Sequence, residues 1–224
     1  MCGRFSLFEP IDSLTDQFNF EFFEDLDARY NIAPGQDILT VIDSGNSNRR
    51  EGVRMRWGLI PFWADDEKIG YKMINARAET IDEKASFKSA LKKRRCLILA
   101  DGFYEWKKDG ETKQPYRFGL KSKKPFALAG IWENWSKNGK SITSCTIITT
   151  EPNKMTRKVH DRMPVILPED KIDVWLNPAI DESSELKKLL VPLQAEKMES
   201  YQVSTAINSA RNEGEELILP INSL

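Results

Sequence analysis

The sequence predicts an α+β fold: a single domain, residues 1–224, with a curved, barrel-like antiparallel β-sheet and peripheral helices. Apolar runs of strand length dominate the middle of the chain. Two breaks between them carry the tight-turn pairs Asp109-Gly110 and Asn138-Gly139. Consecutive hairpins of this kind pair strands antiparallel, without the crossover helices a parallel sheet requires. At 224 residues and 40% hydrophobic content the chain suffices for one sizeable core.

The elements follow in order. "EPIDSLTDQFNF" sets Ile11, Leu14 and Phe18 on one helical face. "DILTVIDS" alternates as a strand, "SGNSN" is a turn and "VRMRWGLIP" resumes as a strand, which makes a hairpin. "EKASFKSALKKRR" reads as a helix with Phe87, Ala90 and Leu91 inward and a basic last turn suited to the helix dipole. The strand "CLILADGFYEW" leads through Asp109-Gly110 to "PYRFGL". "PFALAGIWENW" leads through Asn138-Gly139 to "SCTIITT". A short helix over 154–159 comes next, then helices in "PEDKIDVWL" and "SSELKKLL". "YQVSTAINS" and "ELILPI" close the chain as short strands or extended segments.

Charge is balanced, 33 Lys+Arg against 34 Asp+Glu, so any nucleic-acid binding must come from a local patch. Basic residues gather in "NRR", "KKRR" and around "HDRMP". No transmembrane run or signal peptide is legible, and the chain reads as cytoplasmic. Cys2, Cys96 and Cys145 form no metal-ligand spacing and His160 is the one histidine, which argues against a metal site. Cys96 and Cys145, inside apolar runs, read as buried structural thiols.

"MCGRF" sets the chemical question. Loss of Met1 turns Cys2 into a 1,2-aminothiol. Its amine, near pKa 7.7–8.0, and its thiol, near 8.5, are both partly nucleophilic at neutral pH. Such a pair condenses with an aldehyde to a Schiff base and closes it to a five-membered thiazolidine. Three further stretches carry candidates. His160 in "VHDRMPVIL" titrates near neutrality, although a lone histidine is more often structural. Glu105 in "DGFYEWK" shares a face with Phe103 between aromatics. Burial there would raise its pKa for acid/base work; the plainer reading is an exposed glutamate paired with a lysine. In "INARAET", Asn75 offers an amide for a substrate oxygen and Arg77 a bidentate phosphate ligand, against a helix cap and a surface ion pair. Pro34-Gly35 marks a turn in "RYNIAPGQ". Trp57 and Trp63 in "WGLIPFWA" look exposed and suited to wedging against a base, although a tryptophan is more often core.

"MCGRF", "RYNIAPG", "WGLIPFW", "INARAET", "DGFYEWK" and "HDRMPVIL", in this order, resemble the SRAP family of SOS-response-associated peptidases, or abasic-site-processing proteins. The tail "VSTAINSARNEGEELILPI" resembles the family's C-terminal end, so the likeness covers the whole chain. It implies a single α+β domain around a barrel-like sheet, acting on abasic sites in single-stranded DNA. Cys2, freed of Met1, would form a thiazolidine with the ring-opened sugar aldehyde and shield the site. Asn75 would bond near the linkage, Glu105 would serve as acid/base, and His160 would assist ring opening and stabilise or reverse the adduct. Arg4, Arg77 and Arg162 would bind flanking phosphates from one face. Pro34 and Trp63 would stack on or wedge bases. Self-removal of Met1 and weak strand cleavage through the Schiff base also follow. The resemblance implies no cofactor, no metal and no membrane partner, a monomer, and nucleoid association when DNA is bound. Two rivals remain: an N-terminal-nucleophile amidohydrolase, in which Cys2 attacks an amide, and a non-covalent single-strand-binding module.

Overall fold

The computed structural model of the protein describes residues 2–43, 45 and 49–221, with Asp109 described by its backbone only. Met1 and most of the expected "SGNSN" turn lie outside the described residues.

The chain forms β1 (Phe5–Leu7), α1 (Ile11–Phe18), β2 (Phe20–Glu21), β3 (Arg29–Ile32), β4 (Asp37–Ile42) and β5 (Arg50–Trp57). Then follow β6 (Asn75–Arg77), α2 (Lys88–Lys93), β7 (Arg95–Ala100), β8 (Gly102–Asp109), β9 (Thr112–Leu120), β10 (Phe126–Lys137) and β11 (Lys140–Thr150). The last third carries β12 (Met163–Pro164), β13 (Ile166–Leu167), α3 (Glu169–Leu176), α4 (Ser183–Lys187) and β14 (Met198–Gln202). Strands β11, β10, β7, β4 and β5 pair in a ring, which the pairing of β5 with β11 closes. Four of its pairings are antiparallel, whereas β5 and β11 run parallel, so the expected barrel is closed and mixed. A second sheet, in the order β14-β9-β8-β1-β3, carries the chain's first strand in its interior.

Local sequence accounts for most of this. Asn138 and Gly139 both take positive φ, 52° and 76°, the two-residue turn that matches strand twist. Lys137 and Lys140 face each other across it. Leu14 and Phe18 are buried on the inner face of α1. Two expectations are corrected. The "EKASFKSALKKRR" helix spans only Lys88–Lys93, because Arg95 turns inward to donate to the Leu91, Lys92, Trp175 and Asn177 carbonyls. The "CLILADGFYEW" run is two strands in different sheets, β7 and β8, broken at Asp101. The Asp101 carboxylate accepts from the Phe8 and Glu9 amides, which anchors the switch between sheets. Among the described residues no helix is long and apolar enough to cross a membrane.

Candidate functional site

The site forms where the start of the chain meets three later segments. Pairing of β1 with β8 sets Phe5 opposite Phe103, and the Tyr104 amide donates to the Arg4 carbonyl at 3.0 Å. That register carries Cys2 to Glu105, whose charge helps push the Cys2 thiol up after burial itself. From the barrel, β6 runs parallel to β11 with Asn75 opposite Ile147. Asn75 Nδ2 donates to the Cys2 carbonyl at 3.0 Å and to the Ile74 carbonyl at 2.8 Å. Its Oδ1 is buried with no hydrogen-bond partner among the described residues, an arrangement that costs about 1–3 kcal/mol and leaves an acceptor open.

His160 arrives on the loop after β11. Asn153 shapes that loop: its Oδ1 accepts from the Met155 and Thr156 amides at 2.9 Å each, and its Nδ2 donates to the Leu193 carbonyl. The turn is 3-10 over Thr156–Lys158, tighter and shorter than the expected helix. The His160 amide donates to the Thr156 carbonyl at 2.8 Å. The Arg162 amide lies 3.1 Å from His160 Nδ1, and Asp161 Oδ1 stands 3.0 Å from the same nitrogen, so both neighbours orient the ring. Nε2 stands 3.8 Å from Glu105 Oε2. Glu105 is 2% exposed, and burial, with Asp161 adding, raises its pKa to about 7. Burial lowers that of His160 below its usual value. Glu105 thus holds a proton through much of the neutral range while His160 is a neutral base. The exposed, lysine-paired alternative for Glu105 is excluded.

These side chains open on a groove of about 900 Å³. Arg4, Glu105 and His160 line it, whereas Cys2 is fully buried and lies outside the lining. Arg4 is half-buried, and its Nη1 donates to Asn31 Oδ1 at 2.7 Å and the Ile207 carbonyl at 3.1 Å. Both acceptors are neutral, so the cation keeps its charge toward the groove.

The remaining expected residues stand elsewhere. Arg77 is exposed on β6 opposite Thr149. Arg162 donates to the Thr149 carbonyl at 2.7 Å, and its fork grips both oxygens of Glu79 at 2.7 and 2.9 Å. Pro34 lies in the turn whose Gly35 takes φ +86°, and Trp63 is 49% exposed. None of these four lines the groove. Trp57 takes the core alternative: it is fully buried, and its Nε1 donates to the Ile74 carbonyl that Asn75 also uses, so it braces the site from inside. Sequence reasoning passed over Glu79, Asn31 and Asn153. It also passed over four groove lysines, three of which were legible as "KKDGETK" on a hairpin beside Glu105. Cys96 and Cys145 are buried, as expected.

A barrel-based α+β domain that sets an asparagine and a glutamate against its second residue, a cysteine, with a histidine 3.8 Å from that glutamate, defines a class of proteins with a polar site built at the start of the chain. A family model described as SOS response associated peptidase (SRAP) matches residues 1–210, and the chain belongs to that family. It is 51% identical over 223 residues to the abasic site processing protein YoqW of Bacillus subtilis (strain 168), covering 97% of this chain and 99% of that one. It is 37% identical to the abasic site processing protein HMCES of Gallus gallus, covering 86% of this chain and 66% of the relative. In structure it resembles a crystal structure of a protein from Bacteroides thetaiotaomicron, with a TM-score of 0.88, 28% identity, and coverage of 98% and 99%.

Proposed function

We propose that this protein captures abasic sites in single-stranded DNA by a covalent thiazolidine between Cys2, freed of Met1, and the ring-opened sugar aldehyde. Asn75 and Glu105 meet at Cys2, and Glu105 and His160, 3.8 Å apart, line a groove rich in cations; this is the observation that carries the reading. The names of the relatives point the same way.

The chemistry follows from the protonation states. Neutral His160, or the Glu105 carboxylate when ionised, takes the C1′ hydroxyl proton as the C1′–O4′ bond breaks and returns it to O4′, which leaves as a hydroxyl and frees the aldehyde. The freed Cys2 amine adds to the aldehyde carbon. Glu105 gives its proton to the carbinolamine oxygen, which leaves as water, and an imine forms. The Cys2 sulfur then bonds to the imine carbon, its proton passes to nitrogen and the ring closes, with one water lost overall. Burial keeps the thiol protonated at rest, so the amine attacks first and the thiol follows. The open Asn75 Oδ1 accepts from a sugar hydroxyl or from the new N–H. Arg4 takes a phosphate beside the lesion, and Arg77, Arg162, Pro34 and Trp63 hold more distant parts of the strand. Arg162 does so by exchanging Glu79 for a phosphate. Met1 removal by the chain itself and weak strand cleavage from the imine belong to the same proposal.

The test is the intact mass of the purified protein, then denaturing electrophoresis after incubation with single-stranded DNA holding one abasic site. A mass lacking Met1 and a heat-resistant shifted band are expected. Cys2→Ala keeps an amine but has no thiol to close the ring, and its band is expected to vanish. A heat-stable band from Cys2→Ala would falsify the thiazolidine. Glutaminase activity without a band would favour an amidohydrolase, and a salt-labile complex alone a non-covalent module.

A further inference from the structure

The groove carries more charge than the chemistry at Cys2 uses. Besides Arg4, it is lined by Lys107, Lys108 and Lys113 from the β8–β9 hairpin and by Lys158 from the loop that carries His160. These cations face two carboxylates, Glu105 and Asp161. All four lysines are exposed, and none has an ion pair among the described residues. Some lysines elsewhere hold carboxylates, as Lys137, Lys140 and Lys187 do at 2.6, 2.7 and 2.8 Å, and others stand singly on the surface; these four are distinguished by sharing one groove with Arg4. Lys108 and Lys113 stand directly opposite each other in the ladder. Like charges at opposed positions destabilise a hairpin, and a polyanion laid along it relieves the repulsion.

We propose that the β8–β9 hairpin is a phosphate track that carries the single-stranded DNA on one side of the lesion. Lys107, Lys108 and Lys113 line it from the hairpin, and Lys158 from the facing wall. This extends the DNA reading above and rests on it. The hairpin is continuous with the site, since Glu105 lies on the same strand as Lys107 and Lys108. From Glu105 to Asp109 that strand rises about 13 Å, room for roughly two to four phosphates at a spacing of about 3.4 Å or more. An aromatic stands at the near end: Trp106, half-buried, donates through Nε1 to Asn208 Oδ1 at 2.6 Å, which fixes its ring at the groove wall.

The test uses fluorescence anisotropy of a single-stranded oligonucleotide bearing a tetrahydrofuran abasic analogue, which has no aldehyde and undergoes no covalent step. The wild type is compared with the triple variant Lys107→Gln/Lys108→Gln/Lys113→Gln across a salt series. The log–log salt slope is expected to flatten by about 2, that is about 0.7 for each of three phosphates. Removing the flank on one side of the lesion, and not on the other, is expected to erase the difference between the two proteins. Lys158→Gln, on a separate loop, is expected to flatten the slope by about 0.7. An unchanged slope in both variants overturns the track, and so does an equal loss on trimming either flank. The covalent reading fails separately: wild-type protein that binds the analogue with the full slope but forms no heat-resistant adduct on the authentic aldehyde overturns the thiazolidine and leaves the track standing.

Discussion

Glu105 concentrates the chemistry of the site in one carboxyl group. Its pKa rises from the ordinary 4.5 to about 7 because burial disfavours the charged form. The folded protein therefore holds this proton more tightly than the unfolded chain does. Its contribution to stability is fully present below pH 4.5 and is lost as pH rises through about 7. Glu105→Gln removes the titration. Relative to wild type, the variant is expected to gain on the order of 3 kcal/mol between pH 4.5 and pH 8, read as diverging thermal melts. Adduct formation is expected to move oppositely: the amide cannot donate a proton to the leaving water, and the rate should drop about 100-fold or more. Melting curves that stay parallel across that range would exclude a buried, titrating Glu105. Cys2 complements it, because burial holds its thiol protonated.

Short elements, more than long ones, place the side chains of the candidate site. Asn75 sits on a three-residue strand and His160 follows a single 3-10 turn. The turn depends on Asn153, which caps two amides and ties the loop to Leu193. Asn153→Ala is expected to destabilise the fold by about 1–2 kcal/mol. It should slow adduct formation further by letting His160 drift from Glu105, with single-strand affinity changed little. A full-rate Asn153→Ala protein would show that the loop is set by something else. The Gly58–Gly70 crossing plays a comparable part on the other side. A Cβ at Gly58, which takes φ +129°, would lie 2.7 Å from the Gly70 carbonyl, so the segment bearing Trp63 can cross itself only with glycine there.

At the scale of the molecule, the two ends of the chain are locked together over the site. Residues 203–218 cover β3 and β8, with Val203, Ile207 and Leu217 packed on Tyr104. Asn31 is the rivet: buried on β3, it accepts from Arg4 and donates to the Ser209 and Asn212 carbonyls. Asn31→Ala leaves those partners unpaired and is expected to cost about 1–3 kcal/mol. Hydrogen exchange should rise across 203–218 before it rises in the barrel. Uniform protection of that segment in the variant would remove Asn31 from this role.

The sequence by itself determined most of the strands and the two hairpin turns, and it singled out Cys2, Asn75, Glu105 and His160 as candidates. Alternation and turn chemistry are local, and the ordered motifs are specific to a family. Tertiary structure decided the rest. The barrel closes through the parallel pairing of β5 with β11, strands more than eighty residues apart whose register no local pattern encodes. "CLILADGFYEW" divides between two sheets because Asp101 caps the Phe8 and Glu9 amides, which lie more than ninety residues earlier in the chain. Trp57, which looked exposed, is buried because the Ile74 carbonyl receives its N–H. Arg162 meets Glu79 rather than solvent. The pKa of Glu105 was open in the sequence, since burial is a property of the surroundings and only the folded chain supplies them.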